Sequence, residues 1–328
     1  MYKRHLIAAA IAATAAALPA MAAAAYPERP ITLVIAYGPG GATDISARTV
    51  SKPLSALTPQ PILLVNRTGA GGATGSVSVA NAAPDGYTMI AARVGSHTVN
   101  PAMKETLPYK IEDFRYVGVY EINPVVCAVA MNSDIKSMQE LVDKAAAAPG
   151  KVRFSSSGVG SLLHLAGVMA TDAFGLKDAA NALTHIPLKG GGAAATAVLS
   201  GTADFICTNS SALAGFVSNK QLRPLMVTTP ERLPGFDAPT ATELGHPELE
   251  ELVGWTGIAG PKGLPDEVAD KWREWMGKVT TDKEFVERMT AAGSVIRLMD
   301  PAESQAFILK QYETFSKLVT ALGMKIKN

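Results

Sequence analysis

The feature that most constrains this chain is a repeated unit: a short continuous apolar run, a loop of Gly, Ser and Pro, then a helical pattern. Ile31-Thr32-Leu33-Val34-Ile35-Ala36 leads into Tyr37-Gly38-Pro39-Gly40-Gly41 and a helix predicted from Asp44 to Leu57. Ile62–Val65 precedes Gly69–Gly72 and a helix reaching Ala82, and Tyr87–Ala92 precedes Gly95-Ser96-His97-Thr98. Runs that are apolar at every position suit strands buried on both faces. Their alternation with helices predicts a parallel α/β sheet.

A new block opens at Pro124. Strands are predicted at Val125–Ala130, Val152–Ser155, Ala203–Cys207 and Leu222–Val227, with helices at Ser137–Ala148, Ser161–Phe174 and Ala193–Ser200. After the Pro-rich stretch Pro230–Pro239, the tail holds one strand, Leu252–Ala259, and two to three helices between Pro265 and Gly323. Two similar α/β blocks, with the tail completing one of them, predict two lobes. The 328 residues suit roughly two domains, and 48% hydrophobic content suffices to bury a core.

Residues 1–25 read as a secretory leader. Lys3, Arg4 and His5 form a basic start, Leu6–Leu18 an apolar stretch, and small residues follow Pro19 up to Ala25. The apolar stretch is shorter than the roughly 20 residues a membrane span needs. Tyr26 is the expected first mature residue. Loss of Lys3 and Arg4 turns the formal charge from +1 to −1. This near-neutral balance, with no Lys/Arg cluster, argues against nucleic acid or an anionic membrane as partner. Cys127 and Cys207 each lie in a predicted buried strand and read as core thiols. A bridge would need those strands adjacent, with Cβ atoms about 4 Å apart.

In open α/β sheets ligands bind beyond the C-terminal strand ends, where helix N-termini present unpaired N–H groups. Two loops fit that place: Tyr37–Asp44, and Ser155-Ser156-Ser157-Gly158-Val159-Gly160-Ser161. Neither carries Lys or Arg, so small anions such as carboxylates suit them better than a triphosphate. A third loop, His185–Gly192, brings Lys189 and Gly190 to a helix start. His164, three residues into its helix, either faces a ligand or packs, and His185 reads as structural. Asp204 sits inside an apolar run, where it either orients a ligand or, the favoured reading, holds backbone N–H groups. No phosphate-loop, dinucleotide, hydrolase-elbow or His-Glu-x-x-His motif is present. Neither metal nor cofactor is expected. Catalysis would need a nucleophile and base, for which Ser161 beside His164 is the candidate, and Ser161 reads better as a helix cap.

Several ordered motifs resemble the Bug/TctC family of periplasmic solute-binding proteins of tripartite tricarboxylate transporters. They are Gly38-Pro39-Gly40-Gly41-Ala42-Thr43-Asp44, Asn66-Arg67-Thr68-Gly69-Ala70-Gly71-Gly72, Ala83-Pro84-Asp85-Gly86-Tyr87, Asn100-Pro101, Ser155–Ser161 with His164-Leu165-Ala166-Gly167, and His185–Gly190. The resemblance implies a type II periplasmic-binding fold of two α/β lobes joined by two crossover strands, with a small carboxylate ligand in the cleft. It implies lobes of 26–124 with 229–328, and of 125–228. It places ligand contacts at Tyr37, Gly38, Gly40, Gly41, Thr43 and Asp44, and at Ser156, Ser157, Gly158, Gly160, Ser161 and His164. Further cleft positions are Ser96, His97, Thr98, Lys189, Gly190, Asp204 and Asn209. The expected receptor is a monomer that hands its organic acid to membrane permease subunits. A sensor or scavenger without a transporter, or a periplasmic hydrolase, are the other readings. Gly38 stands where the family has proline, Leu188 where it often has tyrosine, and Arg93 at a strand end that is often small. All three are expected near the cleft rim.

Overall fold

The computed structural model describes residues 26–39, 41–188 and 190–327. The leader expected over residues 1–25 lies outside the described residues, as do Gly40 and Lys189.

The first repeat units fold as β1 (Ile31–Ile35), α1 (Ala42–Leu57), β2 (Ile62–Asn66), α2 (Ala73–Ala80), β3 (Thr88–Arg93) and α3 (Asn100–Met103). β1 lies between β2 and β3, parallel to both. Ile31, Leu33, Val34 and Ile35 have no exposed surface, as a strand covered on both faces requires.

Next comes β4 (Phe114–Ala130), a strand of 17 residues. The strand expected over Val125–Ala130 therefore starts earlier, at Phe114, and runs through Pro124, a correction to the strand's bounds. Proline lacks the N–H a ladder needs, and here it sits where β4 changes partners. Residues up to Pro124 pair antiparallel with β9 (Val253–Pro261), and Val125 onward pairs with β7 (Phe205–Asn209).

The second series runs α4 (Met138–Ala147), β5 (Arg153–Ser156), α5 (Leu162–Ala173), α6 (Ala179–Ala182), β6 (Thr184–Pro187), α7 (Gly191–Leu199), β7, α8 (Ser210–Ser218) and β8 (Leu222–Val227). β5 is parallel to β6 and β7 on either side, and β8 pairs antiparallel with β4. The chain then returns to the first sheet. Thr228 Oγ1 accepts from Val125 N and donates to Leu252 O, pinning this return beside β4. After β9 come α9 (Asp266–Val279), α10 (Lys283–Ala291), β10 (Val295–Ile296) against β4, and α11 (Pro301–Ala321). Two parallel triplets, β2-β1-β3 and β7-β5-β6, are thus joined through antiparallel pairings of β3 with β9, β9 with β4 and β4 with β7.

Cys127 and Cys207 are directly opposite in the β4–β7 pairing, with Cα atoms 4.0 Å apart, and form a disulfide. The reading as two core thiols is corrected. Each run taken alone said "buried strand" but not which strand lay beside it.

Candidate functional site

In each triplet the three strands end on one side, and each is followed by a turn into a helix. Three helices away from these ends carry side-chain caps, while the four-residue α6 does not. Ser137 accepts from Glu140 N, Asp282 from Phe285 N and Asp300 from Glu303 N. At the strand ends, α1, α2, α7 and α8 start at Gly41, Gly72, Gly190 and Asn209, and none has a side-chain cap. At α1, α7 and α8 the first-turn N–H groups, with the partial positive charge of the helix end, are what an anion would engage, whereas in α2 Ala73 N donates to Ala70 O and Thr74 N to Gly69 O. α5 is the exception, capped by Ser161. α9 also lacks a cap, with Asp266 and Glu267 in its first turn; α1 carries Asp44 there, paired with Arg48.

The turns of the first triplet are tied to one another. Asn66 Nδ2 donates to Tyr37 O and to Asp44 Oδ1, both at 2.9 Å. Asn100 Nδ2 donates to Gly71 O at 2.8 Å. The Tyr37 ring lies where only glycine leaves room: a Cβ at Gly95 would come within 2.5 Å of its Oη, and one at Gly72 within 3.0 Å. Gly38 and Gly41 are exposed and Thr43 is buried. Asp44 is buried, and its carboxylate accepts from Arg48 Nε at 2.8 Å as well as from Asn66, so it holds the turn together.

Hydroxyls in the second triplet are similarly engaged. Ser156 Oγ lies 2.6 Å from His185 Nε2 and accepts from Gly158 N. Ser161 Oγ donates to Gly158 O and accepts from His164 N. Ser156 and Ser161 thus shape the loop, and with Gly158 N, Gly160 N and Ser161 N also bonded within it, Ser157 N and Val159 N are the loop nitrogens that remain for a ligand. Half-buried Ser157 takes no part in these bonds. Gly158, at φ +129°, has only Leu188 O within 4 Å of a built Cβ, so the loops after β5 and β6 lie side by side. At Gly160, φ +72°, a Cβ would fall 2.8 Å from Ile326 Cδ1 and 3.6 Å from Met103 Sδ. This is where the second series meets the first. Sequence reasoning missed Met103 and Ile326, since neither belongs to a motif.

His164 and His185 stack with ring centroids 4.0 Å apart, and Phe154 lies 4.7 Å beyond His185. His164 Nδ1 accepts from Gly160 N at 3.2 Å. Burial, then the neighbouring His185, pushes its pKa down to about 4, and burial lowers His185 too. With Nδ1 occupied by Gly160, this face of His164 is not turned to Ser161 as a base would be.

Position decides the other candidates, and for Asp204 it agrees with the favoured reading. Asp204 precedes β7, at the strand end opposite the turns, and accepts from Arg153 N, Nε and Nη2. Burial raises its pKa, but the Arg153 bonds outweigh that and hold it below the usual range. It holds backbone and side chain of Arg153, not a ligand. Arg93 is buried, not at a rim, and donates to Thr256 Oγ1 at 2.6 Å. Ser96, His97 and Thr98 form a wholly buried π-helical turn. His97 sits among Tyr109, Phe114, Tyr116 and Trp255, a core position and not a cleft one. Asn209 turns its amide to Asn123 O at 3.1 Å, and Gly190 is exposed at the start of α7.

His97 carries a prediction. Burial lowers its pKa from 6.5 to about 3. Between those values the unfolded chain binds a proton that the folded one does not, so stability is full above pH 6.5 and falls with pH below it. The slope from one such group is at most about 1.4 kcal/mol per pH unit. Urea unfolding between pH 4 and 7 is expected to show this decline, and His97→Phe is expected to make it shallower, with His164 and His185 accounting for part of what remains. Equal slopes in both proteins would contradict the assignment.

The family model described as the tripartite tricarboxylate transporter family receptor, TctC, matches residues 46–324. The chain belongs to that family. Among relatives of this receptor, BugT of Bordetella pertussis is 30% identical over 96% of both chains. The solved periplasmic binding protein BugD is 27% identical, covers 92% of the receptor and all of its own chain, and superposes with a TM-score of 0.79. An R. palustris protein solved with adipate is 26% identical, with coverage of 91% and 99% and a TM-score of 0.80. The mixed α/β architecture is therefore that of the TctC-type periplasmic binding proteins, as the motifs implied. No helix among the described residues is long and apolar enough to cross a membrane.

Proposed function

We propose that this receptor binds a small carboxylate-bearing organic acid between the strand ends of its two sheets, closes on it, and delivers it to the permease of a tripartite tricarboxylate-type transporter. The observation that carries the reading is the set of helix starts without side-chain caps, contributed by both triplets. A carboxylate held there would exchange its hydration for fixed N–H groups in a site that excludes water. A ligand touching both halves favours the closed arrangement by its differential affinity, which is what closure requires. The adipate bound to a 26% identical neighbour supports the carboxylate class. In this reading the lobes are residues 26–124 with 229–328, and 125–228, and they hinge where β4 and the return at Thr228 pass between sheets. The leader expected over residues 1–25 and the family's periplasmic place support export.

A thermal-shift screen against mono-, di- and tricarboxylates, aromatic acids and amino acids tests this directly. An acid at 100 times its dissociation constant adds about 2.7 kcal/mol of stability. Carboxylate-free sugars and polyols join the panel as controls, and a result in which no acid, or only these controls, raises the unfolding temperature would refute the assignment.

A further inference from the structure

At the end of β7, the first turn of α8 is docked onto elements of the first sheet by buried and half-buried side-chain bonds. Asn209 Nδ2 donates to Asn123 O, Ser211 Oγ to Asn123 Oδ1 at 2.7 Å, and Ser210 Oγ to Gly293 O at 2.5 Å. Asn123 is itself anchored, since its Nδ2 donates to Ser294 Oγ and to Glu121, whose other oxygen accepts from Ser46 of α1 at 2.6 Å. Two glycines make the docking possible. A Cβ at Gly254 would lie 2.7 Å from Asn209 Nδ2, and one at Gly293 3.0 Å from Ser210 Cβ. These bonds cross the point where β4 changes partner: Asn123 pairs with Gly254 in the first sheet, and Val125 with Asn209 in the second.

We propose that the first turn of α8, Asn209–Ser211, together with Asn123 and Gly293, is a latch that holds the two halves closed and sets the receptor's apparent ligand affinity. The proposal rests on the closing-receptor reading above. Rotation about residues 124 and 228 leaves each sheet's own ladder intact but separates Ser210 from Gly293. The bonds are polar, so water replaces them in the open form, and the bias toward closure from each is about two- to tenfold. That is strong enough to populate the closed form and weak enough to release it. A ligand's apparent affinity scales with the fraction of receptor that is binding-competent.

Pulsed electron–electron resonance on spin labels at Ala56→Cys (α1) and Lys144→Cys (α4) reads the separation of the halves. Both native cysteines are bridged, so only the introduced thiols react. Without any ligand, Ser210→Ala/Ser211→Ala is expected to move the closed-to-open ratio at least fivefold toward the longer distance. Gly293→Ala, acting from the opposite side, is expected to do the same, and Ser211→Ala alone to do so more weakly. Distance distributions that superpose on the parent in all three variants overturn the latch. Adding malate or adipate separates the two ideas. An acid that binds without shortening the distance in the parent contradicts closure, while the ligand-free comparison still decides the latch.

Discussion

Replacing Cys127 and Cys207 together by alanine is expected to lower the unfolding free energy by about 2–4 kcal/mol. The bridge closes a loop with a sequence separation of 80 residues. Loop-closure entropy alone gives about 4.5 kcal/mol for that length, and residual structure in the unfolded chain reduces it. Both residues have no exposed surface, so each substitution also removes a packed sulfur atom. Calorimetry should find the midpoint lower by roughly 5–10 °C. Carboxylate affinity should hold nearly constant, since the bridge lies within the second sheet and away from its strand ends. A midpoint unchanged within about 1 °C would mean that β4 and β7 are secured without it.

The largest effect on binding is expected from Gly158→Val: at least a hundredfold loss of affinity with far-UV circular dichroism preserved. The branched side chain would occupy the open space above the loop, where only Leu188 O approaches within 4 Å. Valine at φ +129° also strains the backbone, by about 1–3 kcal/mol. Gly201→Val separates the two effects. Gly201 has φ +72° and nothing within 4 Å of a built Cβ, but it lies beyond the C-terminal end of α7. That variant should show the strain as lost stability and keep its affinity. Equal affinity losses in the two variants would contradict a site at the Gly158 loop.

Local pattern made much of the fold legible. The run Ile31–Ala36 and the loop after it behave as read because a strand buried on both faces leaves little freedom to the turn that ends it. The same logic located the Ser155–Ser161 loop and the cap role of Ser161. What failed depended on pairing between distant segments. The strand read as Val125–Ala130 was cut short because its first half, Phe114–Pro124, pairs with β9 and not with β7. The Cys127–Cys207 bridge was hidden for the same reason. His97 was misplaced because a polar turn after a strand resembles a cleft loop until Tyr109, Phe114, Tyr116 and Trp255 are seen around it. Glu121 and Asn123 did carry a signal: two polar residues within the apolar stretch Tyr116–Val126 must find partners when buried. Met103 and Ile326 carried none, since ordinary apolar side chains become notable only through the loop they meet.

A crystal structure of the receptor with the tightest-binding acid from the carboxylate panel tests the account most directly. One carboxylate group should lie within about 3 Å of backbone nitrogens in the Gly41–Asp44 turn and, in the same molecule, of Ser157 N or Val159 N, the loop nitrogens not bonded within it. An acid that contacts the turns of one sheet alone, or binds away from both, would contradict it.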